Sequence, residues 1–137
     1  MNQFVIIDTN VLVSALLSIK DDAATVQIVS KVILGEITPV INQDILNEYK
    51  DVLSRSKFGF SRDIVDYLLA AIEKYGVYHE PEPSGTVITD KDDLPFFDLA
   101  FDLQEYDSFL ITGNKKHFPE VSFVLSPREY INRLTGK

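Results

Sequence analysis

The stretch Phe4-Val-Ile-Ile-Asp8-Thr-Asn10-Val-Leu-Val-Ser14-Ala-Leu-Leu17 runs through apolar residues, stops on a carboxylate and returns to apolar sequence within two positions. The first apolar run has strand length and the second suits a helix, so Asp8 stands at the junction. Two roles are open to an acid there. It can cap the helix, since Asp and Asn are favoured at that position. It can also sit at the carboxyl end of a strand, the edge at which open α/β sheets bind ligands. These fourteen residues do not decide between the two.

Working outward, short apolar runs alternate with longer amphipathic segments, the pattern of an α/β domain with a mainly parallel sheet. Strands are predicted at Phe4–Ile7, Thr38–Ile41, Gly76–His79, Ser108–Thr112 and Ser122–Leu125. Helices are predicted at about Val11–Leu17, Ala23–Gly35, Gln43–Arg55, Ser61–Tyr75, Asp93–Gln104 and Pro127–Leu134. The last has the clearest start, with Ser126 as cap, Pro127 in the first turn and Glu129 completing a capping box. Pro81-Glu-Pro-Ser-Gly85 is too short for a domain linker and reads as a surface loop. The 137 residues are therefore expected to form a single domain around one core.

Composition narrows the chemistry. The chain has no cysteine, which excludes a disulfide framework and thiolate metal sites and leaves oxygen ligands or the two histidines. Thirteen Lys plus Arg against 21 Asp plus Glu give a net charge of −8, which argues against coating nucleic acid through bulk charge. A local basic patch beside a metal stays compatible with that charge. No apolar run approaches the roughly 20 residues that span a bilayer, and no basic leader precedes Phe4, so a cytoplasmic location without membrane attachment is expected.

Several acids stand where solvation does not explain them. Glu48 lies three residues after Ile45 and four before Val52, on the apolar face of its helix, whereas Asp51 reads as solvated. The segment Asp90–Asp107 carries seven acids and one base, more than helix capping accounts for. Within it Asp92 or Asp93 suits a helix start, Asp102 and Glu105 read as solvated, and Asp98 sits among Phe97, Leu99, Ala100 and Phe101. Phe109-Leu-Ile-Thr112-Gly-Asn114 then repeats the opening pattern of an apolar strand ending in polar residues. If Asp8, Glu48, Asp93, Asp98 and Asn114 converge at the carboxyl edge, the carboxylates raise one another's pKa, and a cation resolves the repulsion. Mg²⁺ or Mn²⁺ suits such carboxylate and water ligands.

Asp8-Thr9-Asn10, Glu48, Asp90-Lys-Asp-Asp93 followed by Phe96, Phe97 and Ala100, and Thr112-Gly113-Asn114 together resemble the PIN-domain ribonucleases. The likeness spans Phe4 to about Val124 and is nearest to the short VapC-like toxins of type II toxin-antitoxin pairs. It implies a Rossmann-like three-layer α/β/α sandwich with a central, mainly parallel sheet of about five strands. It also implies an endoribonuclease using Mg²⁺ or Mn²⁺, a homodimer, and a small antitoxin protein as partner. By position, Asp8, Glu48 and Asp93 match the first three acids, and Asp98 matches a later acid that could orient the attacking water. The fourth position usually reads Thr-Gly-Asp. Here it is Asn114, which offers an oxygen but no charge. Asn10, Ser14 and Thr112 would orient the carboxylates from behind.

RNA held beside acids needs cations. Lys115, Lys116 and His117 directly follow Asn114, with Arg55, Lys57 and Arg62 as a second group. Two other functions compete with the nuclease. A phosphatase of the haloacid dehalogenase type requires an acid two positions after Asp8, where this chain has Asn10. A degenerate PIN domain that binds RNA or protein without cutting is suggested by the missing acid at Asn114.

Overall fold

The computed structural model describes residues 3–136. Five strands, β1 (Gln3–Ile7), β2 (Ile37–Ile41), β3 (Val77–Tyr78), β4 (Phe109–Ile111) and β5 (Val124–Leu125), form one sheet in the order β3-β2-β1-β4-β5. Every neighbouring pair is parallel. The helices are α1 (Thr9–Leu17), α2 (Ala24–Ile33), α3 (Gln43–Leu53), α4 (Arg62–Tyr75), α5 (Leu94–Asp102) and α6 (Pro127–Thr135). The architecture is the three-layer α/β/α sandwich. α2 lies against β2 with α1, α4 and α6 as neighbours, while α5 lies against β1 and β4 with α3 beside it.

Burial explains the strand order. Val5, Ile6 and Ile7 of β1 and Leu110 and Ile111 of β4 are fully or almost fully buried, as strands covered on both faces must be. The outer strands β3 and β5 are two residues long and shorter than the sequence predicts. Each has a partner on one side only, and both residues of β3 are exposed. The register pairs Ile7 with Ile111, so the residues after each, Asp8 and Thr112, emerge side by side. The Asp8 amide donates to the Ile111 carbonyl at 2.9 Å, which extends the pairing one step beyond the strands.

Several helix ends also differ from the sequence reading, α2 stopping at Ile33 rather than Gly35 and α1 starting at Thr9 rather than Val11. α5 stops at Asp102 and passes into a 3-10 turn at Gln104–Tyr106. Gln104 Nε2 donates to the carbonyls of Ala100 and Ser108 at 2.7 and 3.0 Å, and Ser108 Oγ also donates to Ala100, so side chains occupy a carbonyl that a further turn of helix requires. α3 ends at Leu53 rather than Arg55, in a turn through Ser54. The α6 capping box is present, with Ser126 Oγ accepting from the Glu129 amide at 3.1 Å and Glu129 Oε1 accepting from the Ser126 amide at 2.8 Å.

One buried contact fixes the site-bearing helix to the sheet. Tyr49 is buried in the core and its hydroxyl donates to the Ile7 carbonyl at 2.6 Å, one residue before Asp8. That bond sets the rotation of α3 and with it the direction in which the preceding residue, Glu48, points. Among the described residues no helix is long and apolar enough to cross a membrane.

Candidate active site at the carboxyl edge of the sheet

Asp8 occupies the position before α1, and although the Thr9 and Asn10 amides lie near enough to its carboxylate to lower its pKa, neither makes a well-formed capping bond to it. The carboxylate is instead held from β4. Its Oδ2 accepts from Thr112 Oγ1 at 2.8 Å and from Asn10 Nδ2 at 3.2 Å. The Thr112 hydroxyl in turn accepts from the Asn114 amide at 3.0 Å, and Asn10 Oδ1 accepts from the Gly113 amide at 3.0 Å. The ends of β1 and β4 are thus laced together through three polar side chains. A Cβ at Gly113 would lie 3.4 Å from Asn10 Oδ1, an ordinary contact, so this closeness does not depend on glycine. Asp8 is 6% exposed, and burial is the main cause of its raised pKa. The Thr112 bond and the Thr9 and Asn10 amides pull it down, and the charge of Glu48 adds to the rise.

Two more carboxylates face the same edge. Glu48, on α3, is half-buried and accepts from the buried Thr9 hydroxyl at 3.3 Å. Burial raises its pKa first and the charge of Asp92 second. Asp93 stands at the start of α5 without forming a cap bond. Its Oδ2 is buried and has no hydrogen-bond partner, and His117 Nδ1 lies 3.5 Å away. Burial is the first cause of the Asp93 shift and the charge of Asp8 the second, and together with Asp90 they push it up to about 6. Asp8 is therefore coupled by charge to both Glu48 and Asp93.

Asp98 is the candidate that the structure does not bring to this group. Asp93 is already helical in backbone, and Asp98 lies five residues further along, a spacing that puts the two on different faces of a helix. Asp98 Oδ1 accepts from the Ser84 hydroxyl at 2.6 Å and from its amide at 3.2 Å. The segment around Pro81–Gly85 is a surface loop, as expected, and is anchored on α5 through Ser84. Asp102, expected to be solvated, is half-buried and pairs with His79 at 2.6 Å. Ser14 is exposed on α1, away from the bonds that Asn10 and Thr112 make to Asp8. Asn114 is exposed, and its backbone amide is its link to the network.

The cations divide unevenly. Lys115 is paired with Glu129 at 2.8 Å and His117 lies beside Asp93, while Lys116 makes no ion pair among the described residues. Arg55 is paired with Asp51, Lys57 lies over the Phe58 ring, and Arg62 is 3.9 Å from Asp66. Thr9 and Tyr49 are contacts that the sequence reading did not single out. Thr9 follows Asp8 directly, so its signal was present, but Tyr49 shares the helical spacing of Ile45 and Val52 and carries no separate signal.

Among the described residues no three His, Asp or Glu side chains are gathered closely enough to form a ready metal cage. The donor set nevertheless fits a hard divalent ion. Three carboxylates with raised pKa values and one buried, unpartnered carboxylate oxygen are the groups that a cation relieves.

Comparison with known families gives one match. The family described as PIN domain matches residues 4–116, which include β1 to β4, α1 to α5 and all three coupled acids. Neither the curated proteins nor the solved structures gave a match. Proteins of this family are generally nucleases. With the match covering well over half of its length, the chain belongs to the PIN domain family.

Proposed function

We propose that the protein is a metal-dependent endoribonuclease in which Asp8, Glu48 and Asp93 hold the cation. The observation that carries this is the coupling by charge of Asp8, after β1, to Glu48 on α3 and to Asp93 before α5, with Asp93 Oδ2 left buried and unpartnered. Mg²⁺ or Mn²⁺ bound there would supply Lewis acidity beside the scissile phosphate and acidify water. The chain's own residues do the positioning. Thr112 and Asn10 fix the Asp8 carboxylate, Thr9 fixes Glu48, and Tyr49 sets the rotation of α3. Asp98, engaged by Ser84, is assigned no role at the phosphate.

The test is direct. Purified protein incubated with a panel of structured RNAs should cleave them in Mn²⁺ or Mg²⁺ and not in chelator, and Asp8→Asn should lose activity. Cleavage that persists in Asp8→Asn or in saturating chelator sinks the metal mechanism. One observation favours a second function, binding without cleavage: Asn114 is exposed and contributes no charge where the family pattern has an acid. Binding with no cleavage in either metal would establish it. The phosphatase alternative is disfavoured because Asn10 is engaged through both amide atoms and has no carboxyl proton to give.

The cellular role we propose is that of a toxin held in check by a small antitoxin, with the active form a homodimer. A partner presenting arginine or lysine would complement the acidic edge of a chain with net charge −8. Expression of this chain alone in bacteria should slow growth, and Asp8→Asn should relieve the effect. Equal growth with and without expression would remove the toxin role and leave the nuclease intact.

A further inference from the structure

α3 carries opposite charge on two faces. Asp44, Glu48 and Asp51, four and three residues apart, line with Asp92 an acidic hollow of about 360 Å³ in which Lys91 is the one cation. A phosphate backbone is repelled there. Lys50 and Leu53 instead line a cavity of about 410 Å³ between the end of α3 and the start of α4. Leu53, Val65 and Leu69 are its buried wall, and Phe60 stands half-buried in it. Its one acid, Asp66, lies 3.9 Å from Arg62, and Lys50 makes no ion pair among the described residues, so the charge left over is positive. The turn that closes the cavity, Val52 to Arg62, has three cations and no acid. Its aromatic residues form a platform. Lys57 Nζ lies 5.1 Å from the centre of the Phe58 ring, and Phe58 and Phe60 stack at 5.4 Å with their planes 10° apart. Gly59 between them has φ +64°, a conformation that favours glycine. Arg55 ties this turn to the acid cluster. It bonds Asp51 on the lining of the hollow at 3.0 Å, and its charge opposes the burial and the Asp92 charge that raise the Glu48 pKa.

We infer that the cavity between α3 and α4 seats one nucleotide of a single-stranded RNA, with its base on Phe60 and its phosphate at Lys50. The inference rests on the nuclease function proposed above and adds a grip on the substrate away from the cut. A cation beside an aromatic ring over an apolar wall is what a nucleotide requires, since every base offers a face to stack and every phosphate a charge to pair. The volume is that of a small-ligand site. Lys50 is the cation free for the phosphate, whereas Arg62 stays by Asp66 and Arg55 by Asp51. Arg55 has a different use. By offsetting Asp51 it makes the end of α3 the least repulsive way around the acidic hollow. An acidic peptide would share the attraction to Lys50 but has no base to set on Phe60.

Binding tests this without requiring cleavage. Fluorescein-labelled hexauridylate is titrated with the full chain in chelator over a range of KCl and followed by anisotropy. Lys50→Ala, at an exposed position that does not endanger folding, should weaken binding about threefold or more at low salt and flatten the slope of log K against log salt by about 0.7. Phe60→Leu keeps an apolar side chain against the core and removes the ring, so it should weaken binding about fivefold or more and leave the slope unchanged. Lys20→Ala, the same loss of charge in the exposed loop between α1 and α2, should bind as the parent does. Labelled hexaglutamate should bind at least about tenfold more weakly than the RNA. Parent-like binding by either Lys50→Ala or Phe60→Leu, an equal loss in Lys20→Ala, or no measurable binding by the parent overturns the site. Hexaglutamate bound as tightly as hexauridylate also overturns it, in favour of an acidic peptide. Cleavage in Mn²⁺ is scored separately. A protein that binds as described without cutting keeps the site and loses the nuclease function, and one that cuts while its binding ignores both substitutions does the reverse.

Discussion

Thr112 carries two hydrogen bonds on one fully buried hydroxyl, donating to Asp8 and accepting from the Asn114 amide. Thr112→Val keeps the shape and removes both bonds, so it should cost about 1–3 kcal/mol in urea unfolding. Because Asp8 then loses its strongest restraint, Mn²⁺ affinity or cleavage should fall about 10- to 100-fold. Thr112→Ser should restore both, and a valine variant with parent-like Mn²⁺ binding would show that Asp8 needs no such restraint. Asp93 makes the pH dependence specific. Its folded pKa of about 6 lies above the ordinary 3.8, so between these values the folded chain keeps a proton that the unfolded chain releases. Stability without metal should therefore decline as pH rises from about 4 to about 6 and level off above. The raised values of Asp8 and Glu48 act in the same direction. Since a cation competes with that proton, Mn²⁺ should raise the melting temperature more at pH 7.5 than at pH 5. Asp93→Asn should flatten the pH slope and shrink the Mn²⁺ shift, and an undiminished shift would remove Asp93 from the ligand set.

At the scale of elements, α5 joins two tasks. Its start presents Asp93 to the acid cluster, and one face, through Asp98 and Asp102 a turn apart, holds Ser84 and His79 of the preceding loop. Asp98→Asn and Ser84→Ala should consequently behave alike, each lowering cleavage less than about tenfold with unchanged metal dependence, a positioning effect smaller than loss of a ligand. A loss in Asp98→Asn as deep as that in Asp8→Asn, with Ser84→Ala harmless, would return Asp98 to the chemistry. The element also marks how far the sequence could be read. Apolar neighbours identified Asp98 as an acid needing a partner. They could not name Ser84, which lies fourteen residues upstream in an irregular loop with no periodicity to place it. Asp8, Glu48 and Asp93 were legible because each stands at a strand end, on an apolar helix face or at a helix start, and period and capping rules locate those places. Tyr49 was not, since an aromatic residue at helical spacing has the same pattern whether or not its hydroxyl reaches a strand carbonyl. Strand positions were legible for the same reason as Asp8. The edge strands came out shorter because their length depends on a neighbour, which local sequence does not encode.

For the whole molecule, net charge −8 and the placement of cations set how RNA can be held. A broad basic face is absent among the described residues near the acids, where Lys115 and Arg55 are already paired and Arg62 sits by Asp66. Affinity must then come from few phosphate contacts, with Lys116 a cation that makes no ion pair among the described residues. Each phosphate neutralised on a single strand contributes about −0.7 to the slope of log K against log salt. One or two such contacts give an expected slope between about −0.7 and −1.4, measured by anisotropy with a labelled single-stranded RNA from 50 to 300 mM KCl in chelator. A slope steeper than about −3 would mean that four or more phosphates are met. The strand would then extend over Arg55, Lys57 and Arg62 as well, and the acidic hollow along α3 would have to be bridged rather than avoided. A shallow slope instead fits a protein that selects a short, unpaired segment at its acid cluster. The rest of its negative surface would keep duplex and bulk RNA away.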